Sequence, residues 1–256
     1  MEGGIIKKQP HIQCQCSAKC TRPLVPGTPF CAYHNAHGCP RKSPPGPDAP
    51  QYDPDLYNKN EHLRLSHNCM AYAFRVVDMK QIEKCAKTKD CEVPFHSPGI
   101  ESGKRRLRGE DGKKCFDVIK RTLGDSKGGY PITFTQRPKP GFSKIAVVVA
   151  PNWDFHYYSL DSNGLWSHKP GATPVTDKDS NGNPIYDPAL AGRYYPARGK
   201  GDHPLNYNKF CGYYAIPRDK PLTLSAGGAS RATRRRARSA RKNRTLSRRA
   251  DRSLKH

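Results

Sequence analysis

The sequence has no long hydrophobic run: the longest, Ile145 to Ala150, is six residues, and a bilayer-spanning helix needs about 20. No membrane span is expected. Apolar residues as a class are also few, at 35% hydrophobic and a mean hydropathy of −0.85. A chain of 256 residues with that composition supports one modest core and leaves long stretches as loop or tail. Met1 to Pro10 lacks an apolar segment of the signal-peptide kind, which predicts no secretion through a signal peptide and a reducing compartment. In that setting the ten cysteines read first as metal ligands, nucleophiles or buried thiols, and only then as disulfides.

Acidic residues are what the last segment lacks. Ser225 to His256 holds 12 Lys+Arg and one acid, Asp251, within a chain whose formal charge is +23. Arg234, Arg235, Arg236, Arg238, Arg241, Lys242, Arg244, Arg248 and Arg249 stand among almost no large apolar residues, so this tail cannot close a core. Dense arginine neutralises phosphates by counterion release, which makes nucleic acid or another polyanion the expected partner, without base readout. A solvated tail is the plainer alternative.

Proline and glycine, 24 and 22 residues, punctuate the rest. Residues 1–40 are rich in Cys and His, 41–54 form a proline-rich linker expected to be extended, 55–218 carry the periodic apolar segments, and 219–256 are the basic tail. Asn68 to Met79 is apolar nearly all round, predicting a buried helix. Phe116, Val118, Ile119 and Leu123 predict a short amphipathic helix ending near Gly124. Lys144–Ala150, closed by Pro151, reads as a central strand, and Phe210–Ile216 as a last one. Phe155–Leu160 and Leu165–Lys169 flank Ser162-Asn163-Gly164 as a hairpin. A helix followed by a strand meander gives an α+β fold, with the helix packed on a small antiparallel sheet.

Cys16, Cys20, Cys31 and His34 offer four ligands as two close pairs, the arrangement a tetrahedral structural zinc needs where little core is available. Cys14 stands as an alternative to Cys16, and Cys39 and His37 remain unassigned. Unliganded or disulfide-linked cysteines are the competing reading.

Cys69 falls at the predicted start of the buried helix in His67-Asn68-Cys69-Met70-Ala71. Backbone N–H groups and the helix dipole there favour thiolate, and the same N–H groups, beside Asn68, suit an oxyanion. His156 in Asp154-Phe155-His156-Tyr157 and His168 in Trp166-Ser167-His168-Lys169 supply a base and a group to orient it. A three-residue loop, Ser162–Gly164, would set His168 opposite Tyr158 and leave His156 diagonal to it on the same face. Two- or four-residue loops would put the histidines on opposite faces. Gly164 tolerates the left-handed conformation that such a loop commonly ends in. The expectation is therefore a three-residue loop with both imidazoles turned toward the start of the Cys69 helix. Taken singly, each of the three residues also reads as an ordinary core residue.

At these residues the chain resembles papain-like cysteine hydrolases, closest to the NlpC-type cell-wall endopeptidase branch. That branch has Asp-Cys-Ser-Gly at a helix start, a strand histidine and a second histidine about a dozen residues later. Here Asn68-Cys69-Met70-Ala71, His156 and His168 stand at those places, with Asn68 and Met70 departing from the pattern. The resemblance covers roughly residues 60–216. It implies a papain-like body and hydrolysis of a peptide or amide bond through a Cys69 thioester, His156 acting as base and then acid and His168 orienting it, with no catalytic cofactor. The layout is also similar to uncharacterised proteins of large DNA viruses and phages, in which a Cys/His segment, an Asn-Cys-x-Ala-Tyr-Ala helix and a Trp-Ser-His-Lys-Pro-Gly hairpin recur. That likeness implies location in a virion or in host cytoplasm or nucleus. It also frames the alternative function: a minor capsid or core protein whose body contacts coat proteins, whose tail contacts packaged DNA, and whose triad is vestigial.

Three features remain. Asp177-x-Asp179-x-Asn181-Gly182 matches half of a calcium loop but has Pro188 where the bidentate Glu belongs, so a turn-rich connection is expected. Cys85, Cys91, Cys115 and Cys211 have no metal-like pairing; Cys85 and Cys91 are close enough to bridge under oxidation, and Cys211 is expected to be buried in the last strand. Trp153, Tyr157, Tyr158 and Trp166 read as cross-strand packing ahead of a substrate groove.

Overall fold

Phe142–Ala150 alternates two kinds of side chain, and both are buried. Ile145, Val147 and Val149 point to one face, and Ala146, Val148 and Ala150 to the other. A strand with both faces apolar belongs in the middle of a covered sheet. The computed structural model, which describes residues 14–17, 20–37, 42–89, 91, 95–107, 113–197 and 203–218, places this strand, β2, at the centre. The other strands are β1 (Tyr130–Ile132), β3 (Asp154–Leu160), β4 (Trp166–His168) and β7 (Lys209–Pro217), and the antiparallel order is β1-β7-β2-β3-β4. A separate pair joins β5 (Tyr194–Tyr195) to β6 (Leu205–Asn206). The helices are α1 (Ala32–His37), α2 (Asp55–Asn58), α3 (Glu61–Ser66), α4 (Cys69–Phe74), α5 (Met79–Thr88) and α6 (Cys115–Ser126). The fold is α+β, as the sequence predicts. The basic-tail arginines from Arg234 to Arg249, and Cys39, lie outside the described residues.

One face of the sheet packs against α4 and α6 through Met70, Phe74, Val118, Val147 and Tyr157. Loop residues Ile185, Ala191 and Tyr207 cover the other, against Tyr158, Leu160 and Trp166. The packing reading of the aromatics holds for Tyr157, Tyr158 and Trp166, all buried, while Trp153 is 61% exposed.

The buried helix is shorter than its apolar pattern suggests. Asn68 caps α4 by accepting the Ala71 N–H at 3.2 Å. The helix ends after six residues because Arg75 turns left-handed (φ 56°) and Val76 N–H closes back on Ala71 O at 2.9 Å. Asp78 then caps a new helix, α5, accepting from Lys80 and Gln81. Arg75 spends its charge on the turn, with its guanidinium 4.2 Å from the centre of the Tyr72 ring and 2.9 Å from the buried Asp161 carboxylate. Conversely α6 runs through Gly124 and ends at Lys127, ahead of Gly128 and Gly129.

The proline-rich segment is extended, yet it is laid against the sheet and does not hang as a free linker. Buried Ser43 donates to Phe134 O at 2.7 Å and accepts from the buried Lys144 ammonium at 2.8 Å, and Pro50 O accepts the Ser162 N–H at 2.9 Å.

Cysteine usage departs from the expectation of a reducing compartment. Cys85–Cys91 and Cys115–Cys211 are disulfides, and Cys16 is disulfide-bonded as well. Cys211 is half-buried where the pairing of β2 with β7 slips, between Val147 opposite Gly212 and Val148 opposite Phe210. This bulge frees Cys211 from the ladder to reach Cys115 on α6.

Arg75→Met removes the charged partner of the buried Asp161 carboxylate, leaving it the Ser167 side chain, and should cost about 3 kcal/mol at pH 7 in urea denaturation. Burial already pushes Asp161 up to about 6, so the deficit should shrink at pH 5, where the carboxyl is protonated.

Candidate active site and metal centre

Gly164 sits at φ +80° and closes the loop Ser162–Gly164, with Asp161 N–H donating to Leu165 O at 2.9 Å. The register then places Tyr158 opposite His168, as expected for a three-residue loop. His156 and His168 share a face, and His156 Nε2 lies 2.7 Å from His168 Nδ1. Strand β4 pairs only with Tyr158, Ser159 and Leu160, so the edge of β3 from Asp154 to Tyr157 is left by β4 and met by the start of α4. There the Cys69 sulfur lies 3.9 Å from Phe155 O, with the Tyr157 and Met70 N–H groups turned to it.

Strand alternation sends Phe155 and Tyr157 to the α4 side and His156 to the opposite side. Cys69 and His156 therefore approach the strand edge from opposite sides, and both line a cavity of about 250 Å³ with Asn68, Asp154, Gly171 and Tyr207. The expectation that both imidazoles face this point is met in part: His168 stands behind His156 and does not line the cavity. Cys69 and His156 form no direct hydrogen bond.

The tautomers follow from a backbone carbonyl. His168 Nε2 is 2.8 Å from Lys178 O, which can only accept. His168 therefore carries its proton on Nε2, its Nδ1 accepts from His156 Nε2–H, and His156 Nδ1 keeps a free lone pair. All three groups are buried. Burial holds His156 well below the usual histidine range and lowers His168 to about 4, against the Lys178 carbonyl, whose hydrogen bond raises it. Burial, with the nearby Asp154 carboxylate, pushes the Cys69 thiol up to about 12. The resting site is thus a neutral thiol beside neutral imidazoles. The expected helix-end thiolate does not form, because six residues of helix do not offset complete desolvation.

Asn68 is anchored by one of its two Nδ2 hydrogens and still lines the cavity. Its Oδ1 accepts from Ala71 and its Nδ2 donates to His96 O at 2.8 Å, so the side chain fixes the helix start against the 95–97 loop. Two contributions had no signal in the sequence. The Lys178 carbonyl is backbone. Lys169 is fully buried, its Nζ bonded to Arg64 O at 2.5 Å and Gly171 O at 2.6 Å, and burial lowers it to about 7. It holds Gly171, in the cavity wall, against the end of α3.

In the amino-terminal segment, Cys14, Cys20, Cys31 and His34 bring their ligand atoms within 4.8 Å of one another. Cys16 is not in this set, being disulfide-bonded, and Cys14 takes its place. The contacts Cys14–His34, Cys31–His34 and Cys20–Cys31 measure 3.2, 3.3 and 3.5 Å, near the ~3.6–3.8 Å edges of a zinc tetrahedron with ordinary bond lengths. The His34 backbone N–H, followed by the neighbouring cysteines, lowers Cys31 to about 6. The donor set and spacing fit a four-coordinate soft metal. The calcium-like loop is a turn. Asp179 spends both oxygens on the N–H groups of Asn181, Asn183 and Gly192 and on Gln15.

Buried neutral histidines bind their protons on unfolding. Folded values depressed to about 4 for His168 and about 3 for His67 mean that their stability is present above pH ~6.5 and lost as pH falls toward 4. Urea midpoints should drop steeply between pH 6.5 and 4, and His168→Asn should flatten that slope.

No family model matches the chain, and no solved structure matches it. It is 40% identical over 100 residues to insoluble matrix shell protein 1 of Ruditapes philippinarum, a stretch that covers 39% of this chain and 62% of that protein.

Proposed function

We propose that the body is a cysteine hydrolase acting on a peptide or amide bond through Cys69. The observation that carries this reading is the ordered chain from Lys178 O through His168 to His156, which leaves a lone pair on His156 beside the thiol cavity. A base held in one tautomer by a third group is the arrangement that nucleophilic catalysis by a thiol requires. In the step, the Cys69 sulfur bonds to the carbonyl carbon as its proton passes to His156 Nδ1. That proton then goes to the leaving nitrogen as the C–N bond breaks; water, losing a proton to His156, bonds to the thioester carbon, and as the C–S bond breaks the proton returns from His156 to the Cys69 sulfur, freeing the acid. The thiol is neutral at rest, so the nucleophile arises within the step and not before it.

A peptidyl electrophile should label Cys69 of the full chain in a saturable way. Labelling should vanish in Cys69→Ala and slow by about 10²-fold or more in His156→Ala. Equal labelling of Cys20 or Cys31, mapped by peptide mass spectrometry, overturns the assignment.

A second reading is a structural constituent of an extracellular matrix, with Cys69 and the histidines as packing groups. It is favoured by the likeness to a shell matrix protein and by the disulfides. A folded wild-type chain that no probe labels is the result that would favour it. For both readings the proposed setting is an oxidising compartment, in place of a virion or the host cytoplasm. The Arg-rich segment from Arg234 to Arg249 keeps its proposed role in sequence-independent polyanion binding on composition alone.

For the amino-terminal cluster the proposed occupant is zinc, held by Cys14, Cys20, Cys31 and His34 in a closed site that supplies folding free energy rather than catalysis. The full chain should bind one zinc by this cluster, measured by metal analysis after gel filtration. Cys31→Ser should abolish it and Cys16→Ser should leave it intact. Loss in both variants would return Cys16 to the ligand set.

A further inference from the structure

Gln15 lies between a candidate metal ligand, Cys14, and a disulfide cysteine, Cys16, and its own N–H is tied to Pro29 O at 2.9 Å. Its side chain is 1% exposed and points out of this segment into the body. There it uses its whole hydrogen-bonding capacity. Nε2 donates to Asp179 Oδ2 at 3.3 Å and Pro184 O at 3.1 Å, and Oε1 accepts from Tyr186 N–H at 2.8 Å and Asp187 N–H at 3.2 Å. Phe30 adds an edge contact to Tyr186 at 4.8 Å. The loop so gripped flanks β4: Thr176 exchanges backbone bonds with His168, Trp166 N–H donates to Ile185 O, and Lys178 between them supplies the carbonyl for His168 Nε2.

We propose that Gln15 is a positioning residue for the histidine pair, transmitting the placement of the amino-terminal Cys/His segment through the 177–187 loop to the Lys178 carbonyl that fixes the His168 tautomer. Its bearing on catalysis rests on the cysteine-hydrolase reading; the coupling itself does not. A buried amide satisfied at all four positions by one loop is costly to replace, because truncation leaves the Tyr186 and Asp187 N–H groups without this acceptor and takes one of four donors from Asp179. Nothing else among the described contacts of the segment reaches the loop with comparable directionality.

The test uses the full chain with ¹⁵N-labelled histidine and reads solvent exchange of the His168 Nε2 proton at neutral pH. Gln15→Ala, and the shape-conserving Gln15→Met, should speed that exchange by about tenfold or more, with amide protection in β2 and β7 unchanged. Thr28→Ala is the control, since Thr28 bonds only within the amino-terminal segment, to Val25 O and Phe30 O, and it should leave the exchange as in wild type. Unchanged exchange in both Gln15 variants, or equal acceleration by Thr28→Ala, overturns the inference. Faster exchange in a chain that no peptidyl electrophile labels upholds the coupling while removing the hydrolase reading. Unchanged exchange with labelling intact does the reverse.

Discussion

The register of the β3–β4 hairpin is held by Gly164 at φ +80° and by the Asp161–Leu165 backbone bond, and the arrangement at Cys69 follows from it. A slip by one residue would turn His168 to the α4 side of the sheet and part it from both His156 and Lys178 O. Because β4 is only three residues long, the same hairpin leaves the early half of β3 open, and the start of α4 comes up against that edge. The site is thus built where a sheet edge is covered by a helix end, with His156 in its wall and His168 edge-on behind it. Every group there is dry, and desolvation, the largest influence on each, favours the uncharged forms.

Much of this was legible in the residues. Ile145–Ala150 had to be central, because six apolar residues in a row cannot present a wet face. The hairpin register followed from side-chain alternation and one glycine. The length of α4 did not follow, since Arg75 leaves the helix to meet Asp161 and Tyr72, a tertiary demand with no local signature. Nor did the protonation state of Cys69. The sequence shows that a thiol starts a helix, while its burial depends on how the 95–97 loop and Gly171 close around it. The Lys178 carbonyl is invisible in sequence because any residue type would supply it.

The amino-terminal cysteines show the opposite limit. Spacing favoured Cys16 and kept Cys14 as an alternative; the structure reverses that order, since Cys16 is disulfide-bonded and Cys14 turns to His34. The residue between them ties this segment to the part of the molecule that carries Cys69 and the two histidines, so the two regions that looked separate in composition share one hydrogen-bonded loop. The Cys115–Cys211 cross-link ties α6 to β7 and Cys85–Cys91 closes the chain just past α5, a use of cysteine that belongs to oxidising surroundings.

The Lys178 carbonyl sets the protonation pattern of both histidines. The most direct measurement is the side-chain ¹⁵N spectrum of the wild-type chain at pH 7, with His156 and His168 assigned by substitution. The account predicts both imidazoles neutral with the proton on Nε2, and Nδ1 of each showing the shift of an unprotonated ring nitrogen. A proton on His156 Nδ1, or a doubly protonated ring at either position, would contradict it.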